Sequence, residues 1–246
     1  MSRKLCCALL AAGLVTLVTV PVQAEDIFPF EIHEKTMDNG FRIVVIPYDS
    51  PGTVSYMTVV RTGSRDEVEP GYSGFAHFFE HMMFRGTEKY SGDEYNAVLK
   101  RMGADSNADT SDDRTRYYIT GPAAELETMM DIESDHFQNL SYSEDVFKRE
   151  ALAILGEYNK NISNPFLPMW ERKRELAFQK PTYRHTTMGS LEDIKARPGY
   201  NDYSLRFYDR FYRPENSILL VVGDADPQEV FTLAEKYYGE WEPGYQ

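Results

Sequence analysis

Apolar and polar residues alternate in three short segments that follow residue 30. Two of these segments flank Asn39-Gly40, a dipeptide that readily takes the positive φ angles of a tight hairpin turn. The third, residues 52–63, shows the same alternation and is closed by Gly63. The pattern therefore predicts an antiparallel hairpin followed by a third strand.

Two short helical segments are predicted after these strands. The first is mostly apolar, and we expect Ser73 to cap its start and Gly86 to end it. The second lies between Ser91 and Gly103, which are suitable residues for the two ends of a helix.

The rest of the chain mixes extended and helical patterns. The predicted elements are two extended segments within residues 104–122 joined by a polar turn at 111–113, helical segments within 122–161 with a break near Ser141, a helix over 166–180 that stops near Pro181, a helix over 199–212, an apolar strand over 216–224, and a closing helix over 226–241 that starts at Asp226 or Pro227. This mixture favours an α+β fold, with a largely antiparallel sheet packed with helices, over a parallel α/β sheet.

Residues 1–24 have the pattern of a secretory signal peptide. Arg3 and Lys4 precede an apolar run, and residues 22–24 supply the small side chains that are typical of a cleavage site. A membrane anchor is the alternative, but the run is short for a span and a cleavage site follows it. We therefore expect residues 25–246 to be exported, with the periplasm as the destination and no membrane association after cleavage.

Cysteine usage and net charge narrow the possible chemistry. Both cysteines, Cys6 and Cys7, lie in the predicted signal peptide, so any metal bound by the rest of the chain must be held by histidine and carboxylate side chains. The formal net charge is −13. Such a chain is not expected to bind nucleic acid, because phosphate binding needs clustered lysine and arginine.

The segment GFAHFFEHMMFRGT, residues 74–87, contains the densest candidate chemistry. On a helix, His77 and His81 point to one face, and their spacing suits two imidazole ligands of one tetrahedral zinc ion. Glu80 lies at the rim of that face, where a carboxylate can accept a proton from a zinc-bound water. Ordinary polar residues on an amphipathic helix are the alternative, but their burial among phenylalanine and methionine side chains without a metal would be costly. The segment has the H-x-x-E-H spacing, the inverted form of the H-E-x-x-H metallopeptidase motif.

A catalytic zinc needs a third protein ligand and leaves its fourth position to water. His33, His136 and His185 are candidates, although each is also explained as an ordinary surface or core histidine. Glu150 and Glu157 are seven residues apart and share one helical face, so that one could bind the metal while the other orients a ligand histidine. A solvated acidic face is equally compatible with this spacing, which does not tell which glutamate would bind.

At these residues the sequence resembles the pitrilysin–insulinase family of zinc metallopeptidases, and most closely its bacterial and processing-peptidase-like members. The resemblance rests on four features and extends from about residue 30 to the end of the chain. They are the segment HFFEHMMFRGT at residues 77–87, the segment GADSNADTSDDRTRYY at 103–118, the seven-residue spacing of Glu150 and Glu157, and the segment FYRPENSILLVVGDADP at 211–227.

The resemblance implies a zinc-dependent endopeptidase domain with one Zn²⁺ ion. His77, His81 and Glu157 would be the metal ligands, and Glu80 would be the general base. Glu150 would support a ligand histidine from outside the metal's own ligands.

The resemblance also implies how a peptide substrate would bind. The strand at Asn107 and Ala108 would be a sheet edge that pairs with an extended substrate by strand addition. Family members usually have a second, similarly folded domain that supplies an arginine and a tyrosine to the substrate. Residues 25–246 correspond to the first, zinc-binding domain only. We expect the second domain to lie on a longer form of the chain or on a separate subunit, unless the protein is a single-domain form.

The leading functional hypothesis is therefore a zinc endopeptidase domain. A site that lacks the residues of the second domain is open to water, which weakens electrostatic stabilisation. We therefore expect the isolated chain to bind zinc and to cleave weakly or not at all. The alternative is a non-catalytic subunit that binds peptide and needs a partner for activity. Such a subunit would be expected to lack part of the motif, whereas all of its positions are occupied here.

Overall fold

A computed structural model of the chain describes residues 28–179 and 183–244. The predicted signal peptide and Pro181 lie outside the described residues, and the helix predicted to stop near Pro181 already ends at Ala177. None of the described helices combines the length and the apolar character that a membrane span requires.

The described residues form one six-stranded sheet with the strand order β1-β2-β6-β3-β5-β4. The strands are β1 His33–Thr36, β2 Arg42–Pro47, β3 Thr53–Val60, β4 Asp105–Thr110, β5 Thr115–Pro122 and β6 Ser217–Gly223. Neighbouring strands run antiparallel except for the parallel pair β2 and β6. The predicted α+β fold with a largely antiparallel sheet is confirmed.

The predicted hairpin at Asn39-Gly40 joins β1 to β2. Gly40 has a φ angle of 86°, which a glycine adopts without strain. The Asn39 side-chain amide donates to the carbonyl oxygens of Tyr238 and Trp241, at 2.8 and 2.9 Å. The turn therefore also fixes the C-terminal helix against the sheet.

Eight α-helices occur within the described ranges. They are α1 Phe75–Met82, α2 Gly92–Met102, α3 Leu126–Asn139, α4 Glu144–Asn161, α5 Phe166–Ala177, α6 Leu191–Ala196, α7 Asn201–Phe211 and α8 Pro227–Tyr238. In β3 and β6 every second residue is buried and those between are half-buried, so one face of the sheet carries the core. Helices α1, α3 and α8 contact the strands, and α4 and α7 pack against α1.

Local end signals located several of these helices correctly. Ser91 caps α2, and Gly103 follows it in the left-handed conformation. Asp226 caps α8, with Pro227 as the first helical residue, and the predicted break near Ser141 separates α3 from α4. The six-residue helix α6 was not predicted, because a segment this short gives little periodic signal.

A buried carboxylate lies in the core beneath the sheet. Glu133 of α3 is 4 % exposed and accepts a hydrogen bond of 2.7 Å from the Tyr95 hydroxyl. The hydroxyl groups of Tyr56 and Tyr238 are hydrogen-bonded to each other in the same core. Burial raises the pKa of Glu133 to about 7, against the lowering effect of the Tyr95 hydrogen bond.

The raised pKa of Glu133 predicts that the free energy of unfolding falls with pH in a defined window. Between its ordinary pKa of 4.5 and the folded value of about 7, the folded chain holds a proton that the unfolded chain releases. This stabilisation is complete below the lower value and is lost as the pH rises through the upper one. Glu133→Gln stays neutral and still accepts from Tyr95, so it should be more stable than wild type at pH 8, by up to about 3 kcal/mol.

Urea unfolding of both proteins at pH 5 and pH 8, with a chelator present, measures this difference. Glu88→Gln, at an exposed position, is the control and should retain the wild-type pH dependence. Equal pH dependence in the Glu133→Gln and wild-type proteins would contradict the prediction.

Candidate metal centre

Helix α1 carries the two closely spaced histidines. It begins after Gly74 rather than at a serine cap: the Ser73 hydroxyl donates to Asp193 of α6 instead of accepting from the helix, so the predicted cap at Ser73 is wrong. Gly74 has a φ angle of 86°, and a Cβ atom there would lie 2.2 Å from the carbonyl oxygen of Met188. After a 3₁₀ turn the segment ends at Gly86, as predicted.

The structure brings His77 and His81 of α1 together with Glu157 of α4. The Nε2 atoms of His77 and His81 lie 3.7 and 3.5 Å from Glu157 Oε2. One ligand atom from each residue lies within 4.8 Å of the others, and no other such group of three occurs in the described part of the chain. The two imidazole rings are nearly perpendicular, with an angle of 77° between their planes and 4.8 Å between their centroids.

This donor set fits a zinc ion. Two imidazole nitrogens and one carboxylate oxygen are a common ligand set of catalytic zinc, and ligands about 2.0–2.2 Å from one tetrahedral ion are roughly 3.4 Å apart. Burial lowers the pKa of His77 to about 3, and the charges of His81 and Arg197 add to this effect. His77 is therefore a neutral imidazole, the form that binds a metal.

Glu150 lies on the other side of the His81 ring. Its Oε1 is 2.9 Å from His81 Nδ1, and its Oε2 accepts a 2.6 Å hydrogen bond from Arg85 Nε. Burial alone would raise the pKa of Glu150, but the hydrogen bond with His81 and the charge of Arg85 hold it below its ordinary value. A charged carboxylate on Nδ1 fixes the ring so that Nε2 faces Glu157.

Glu80 lies between the two histidines in sequence and contacts the sheet edge. Thr110 of β4 donates a hydrogen bond of 2.5 Å to Glu80 Oε2. Burial raises the pKa of Glu80, against the lowering effect of the Thr110 hydrogen bond. A carboxyl group with a raised pKa accepts a proton more readily than an exposed one.

A family model described as insulinase, peptidase family M16, matches residues 43–191, which are more than half of the chain. The chain belongs to this family. The zinc protease PqqE of Helicobacter pylori is 32 % identical over 239 residues, which cover 94 % of this chain and 52 % of that protein. The chain spans about half the length of the curated relatives it matches.

Solved structures of M16-type proteases have the same fold. A crystal structure of a protease from Helicobacter pylori matches with a TM-score of 0.83 and 31 % identity, over 87 % of this chain and 51 % of that one. The periplasmic protease PqqL from Escherichia coli matches with a TM-score of 0.77 and 26 % identity, over 89 % of this chain and 25 % of that one.

A second model, described as the peptidase M16 inactive domain, matches residues 202–245. These residues do not form a unit of their own. Strand β6 lies between β2 and β3 in the same sheet, and α8 contacts β2. The match therefore covers the closing part of this M16 fold and not a separate domain of the described chain.

Strand β4 is an edge of the sheet and lies beside the candidate metal centre. Within the described residues it pairs only with β5. Asn107 is exposed and Ala108 is buried, and the Asn107 side-chain oxygen accepts from the Ala108 N–H at 2.9 Å. Alternate N–H groups of an edge strand point towards its partner strand. The Ala108 N–H, which donates to the Asn107 side chain instead, is one of those that face away from β5. Thr110, two residues further on, reaches Glu80.

The structure places the three other candidate histidines away from the centre. His33 lies on β1, at the opposite edge of the sheet. His136 is buried on α3, with its ring against Tyr95. His185 lies 3.7 Å from Glu67 in the loop before α6.

Sequence reasoning missed four side chains that contact Glu150, Glu80 or the backbone at the start of α1: Glu67, Arg85, Thr110 and Arg197. Two had usable signals, since Arg85 lies four residues after His81 and Thr110 shares a strand face with Ala108. Glu67 and Arg197 lie outside the α-helices and strands, where the spacing of residues in the sequence does not indicate which side chains come into contact.

Proposed function

We propose that residues 25–246 are the zinc-binding domain of an M16 endopeptidase. His77, His81 and Glu157 bind one Zn²⁺ ion, and Glu80 is the general base. The observation that supports this most directly is the convergence of three ligand atoms of the right chemistry within 4.8 Å, with Glu80 on the same helix.

In this proposal the chain's own residues hold the metal and move the proton. A bound zinc ion would supply a Lewis acid and lower the pKa of a water molecule towards about 7. Glu80 accepts the water's proton and returns it to the amine that leaves the cleaved peptide. Thr110 engages Glu80 Oε2, so we assign the proton transfer to Oε1. Glu150 keeps His81 oriented through Nδ1.

The substrate is proposed to be a peptide or an extended protein segment that adds to the free edge of β4 at Asn107 and Ala108. Backbone hydrogen bonds to the edge would hold such a segment in register. Thr110 of this edge strand is hydrogen-bonded to Glu80, so a peptide added to the edge would lie near the proposed base. This contact supports placing the scissile bond beside the metal.

A second, similarly folded domain is proposed to complete the site with an arginine and a tyrosine. The relatives are about twice as long as this chain, which supports such a partner. Export to the periplasm is proposed from the signal-peptide pattern, and the likeness to the periplasmic protease PqqL supports it.

The alternative is a non-catalytic subunit that binds peptide. The match of residues 202–245 to a model named for the inactive domain favours it. However, that segment contains none of His77, Glu80, His81 and Glu157. An M16 half that had lost catalysis would have no need of all four, so we prefer the catalytic proposal.

The metal site is tested by the zinc content of the purified chain. Wild type should retain one zinc per chain after dialysis, and His77→Ala should lose most of it, because two ligands bind far more weakly than three. His33→Ala, on the opposite edge of the sheet, is the matched control and should keep its zinc. A metal-free wild type after mild purification would refute the site.

The role of Glu80 is tested with Glu80→Gln in the protein together with its second half. The amide cannot accept the proton, so kcat should fall at least about 100-fold. Zinc content should be unchanged, because Glu80 is not a proposed ligand. Glu88→Gln, an exposed change on the segment after α1, should keep full activity. Full activity of Glu80→Gln would show that the base is another group.

The role of Glu150 is tested with Glu150→Ala. Loss of the carboxylate frees the His81 ring, and zinc affinity should fall about 10- to 100-fold. Competition with a chromogenic chelator at fixed pH measures this affinity. Glu144→Ala, at an exposed position on the same helix, is the control. Wild-type affinity in the Glu150→Ala protein would contradict the assignment.

A further inference from the structure

A fourth carboxylate, in addition to Glu157, Glu80 and Glu150, is hydrogen-bonded to the start of α1. Glu67 lies in the segment between β3 and α1, and its side chain has no exposed surface. It accepts hydrogen bonds from the N–H groups of Gly74 and Ala76, at 2.6 and 2.8 Å, through different oxygens. Both oxygens of one rigid group are therefore bonded to the backbone just before His77.

These bonds satisfy groups that the helix itself cannot satisfy. The first N–H groups of a helix have no partner within it, and leaving them unpaired in a buried place costs about 1–3 kcal/mol each. In its ionised form the carboxylate also interacts favourably with the positive end of the helix dipole. Ser73, the nearest side chain of the usual capping type, is bonded to Asp193 instead.

A helix as short as α1 depends on its surroundings for its position. It has eight residues, a length at which helices are not stable alone in water. His77 follows directly after Ala76. A shift or rotation at that end would therefore move the His77 ring relative to Glu157.

Two further basic side chains lie near Glu67 and the start of α1. The fully buried Arg197 donates a hydrogen bond of 2.8 Å to the Ser73 carbonyl oxygen, and its guanidinium group lies over the rings of Phe75 and Phe78. His185 Nδ1 is 3.7 Å from Glu67 Oε2. Burial raises the pKa of Glu67 to about 8, against the lowering effects of the two N–H groups and Arg197.

We propose that Glu67 is the positioning residue of the metal-binding helix. By accepting hydrogen bonds from the N–H groups of Gly74 and Ala76, it fixes the position of α1 along its axis and its rotation about that axis. It thereby fixes the position of the His77 ring relative to Glu157. Glu67 touches neither metal nor substrate. The inference rests on the proposed zinc site.

Glu67→Gln is the variant that tests this proposal. The amide has the same shape, but its one oxygen can replace only one of the two acceptors, and its NH₂ group would face a backbone N–H. The matched control is Glu133→Gln, which changes an equally buried carboxylate with a raised pKa on α3. Both variants remove one buried carboxylate, and only Glu67 is hydrogen-bonded to the start of α1.

Three measurements distinguish positioning from general stability. They are zinc affinity by chelator competition, the visible absorption of the Co²⁺-loaded chain, which depends on ligand geometry, and thermal unfolding of the metal-free chain. Glu67→Gln should weaken zinc binding at least tenfold and alter the Co²⁺ band. Glu133→Gln should keep zinc affinity within twofold of wild type, whatever its effect on unfolding.

Zinc affinity within twofold of wild type and an unchanged Co²⁺ band in Glu67→Gln would overturn the proposal. So would an equal loss of affinity in Glu133→Gln, since the loss would then follow stability. If Glu67→Gln does not fold, Glu67→Asp applies the same criteria, because it keeps the carboxyl group but withdraws its oxygens by the length of one methylene. A wild type that binds no zinc would overturn the proposed site together with this inference, whereas the other outcomes leave that site standing.

Discussion

The structure depends most on the burial of α1 between the edge of the sheet and α4. Phe75, Phe78 and Phe79 are almost fully buried, and this apolar packing draws His77 of the same short helix out of solvent. An imidazole in such a place loses its hydration and stays neutral. The core therefore both positions the histidine and keeps it in the form that binds a metal.

Several polar groups of α1 have partners from different parts of the chain. Glu150 of α4 holds His81, Thr110 of β4 holds Glu80, and Glu67 holds the start of the helix. Buried polar groups without partners are costly, so these contacts stabilise the helix in one orientation. The same contacts leave the Nε2 side of His81 facing Glu157. Stability of the helix and geometry of the centre thus come from one set of interactions.

Strand β4 connects this centre to the outside of the molecule. Its buried side supports α1 through Thr110, while its free edge and Asn107 are accessible. A polypeptide added to that edge would be aligned by the same strand that contacts Glu80. The sheet edge is therefore a functional surface in our proposal and not only the end of the fold.

Local signals in the sequence determined the Asn39-Gly40 hairpin, several helix ends and the common face of His77 and His81, because turns, caps and helical spacing act within a few residues. Spacing alone left Glu150 and Glu157 equivalent, since both lie on one helical face, and only the family resemblance assigned Glu157 as the ligand. Only the packing of α4 on α1 places Glu157 at both Nε2 atoms and Glu150 at His81 Nδ1. The start of α1 was likewise decided by tertiary structure: Asp193 of α6 engages Ser73, and the buried Glu67 becomes the cap, through contacts that no local pattern encodes.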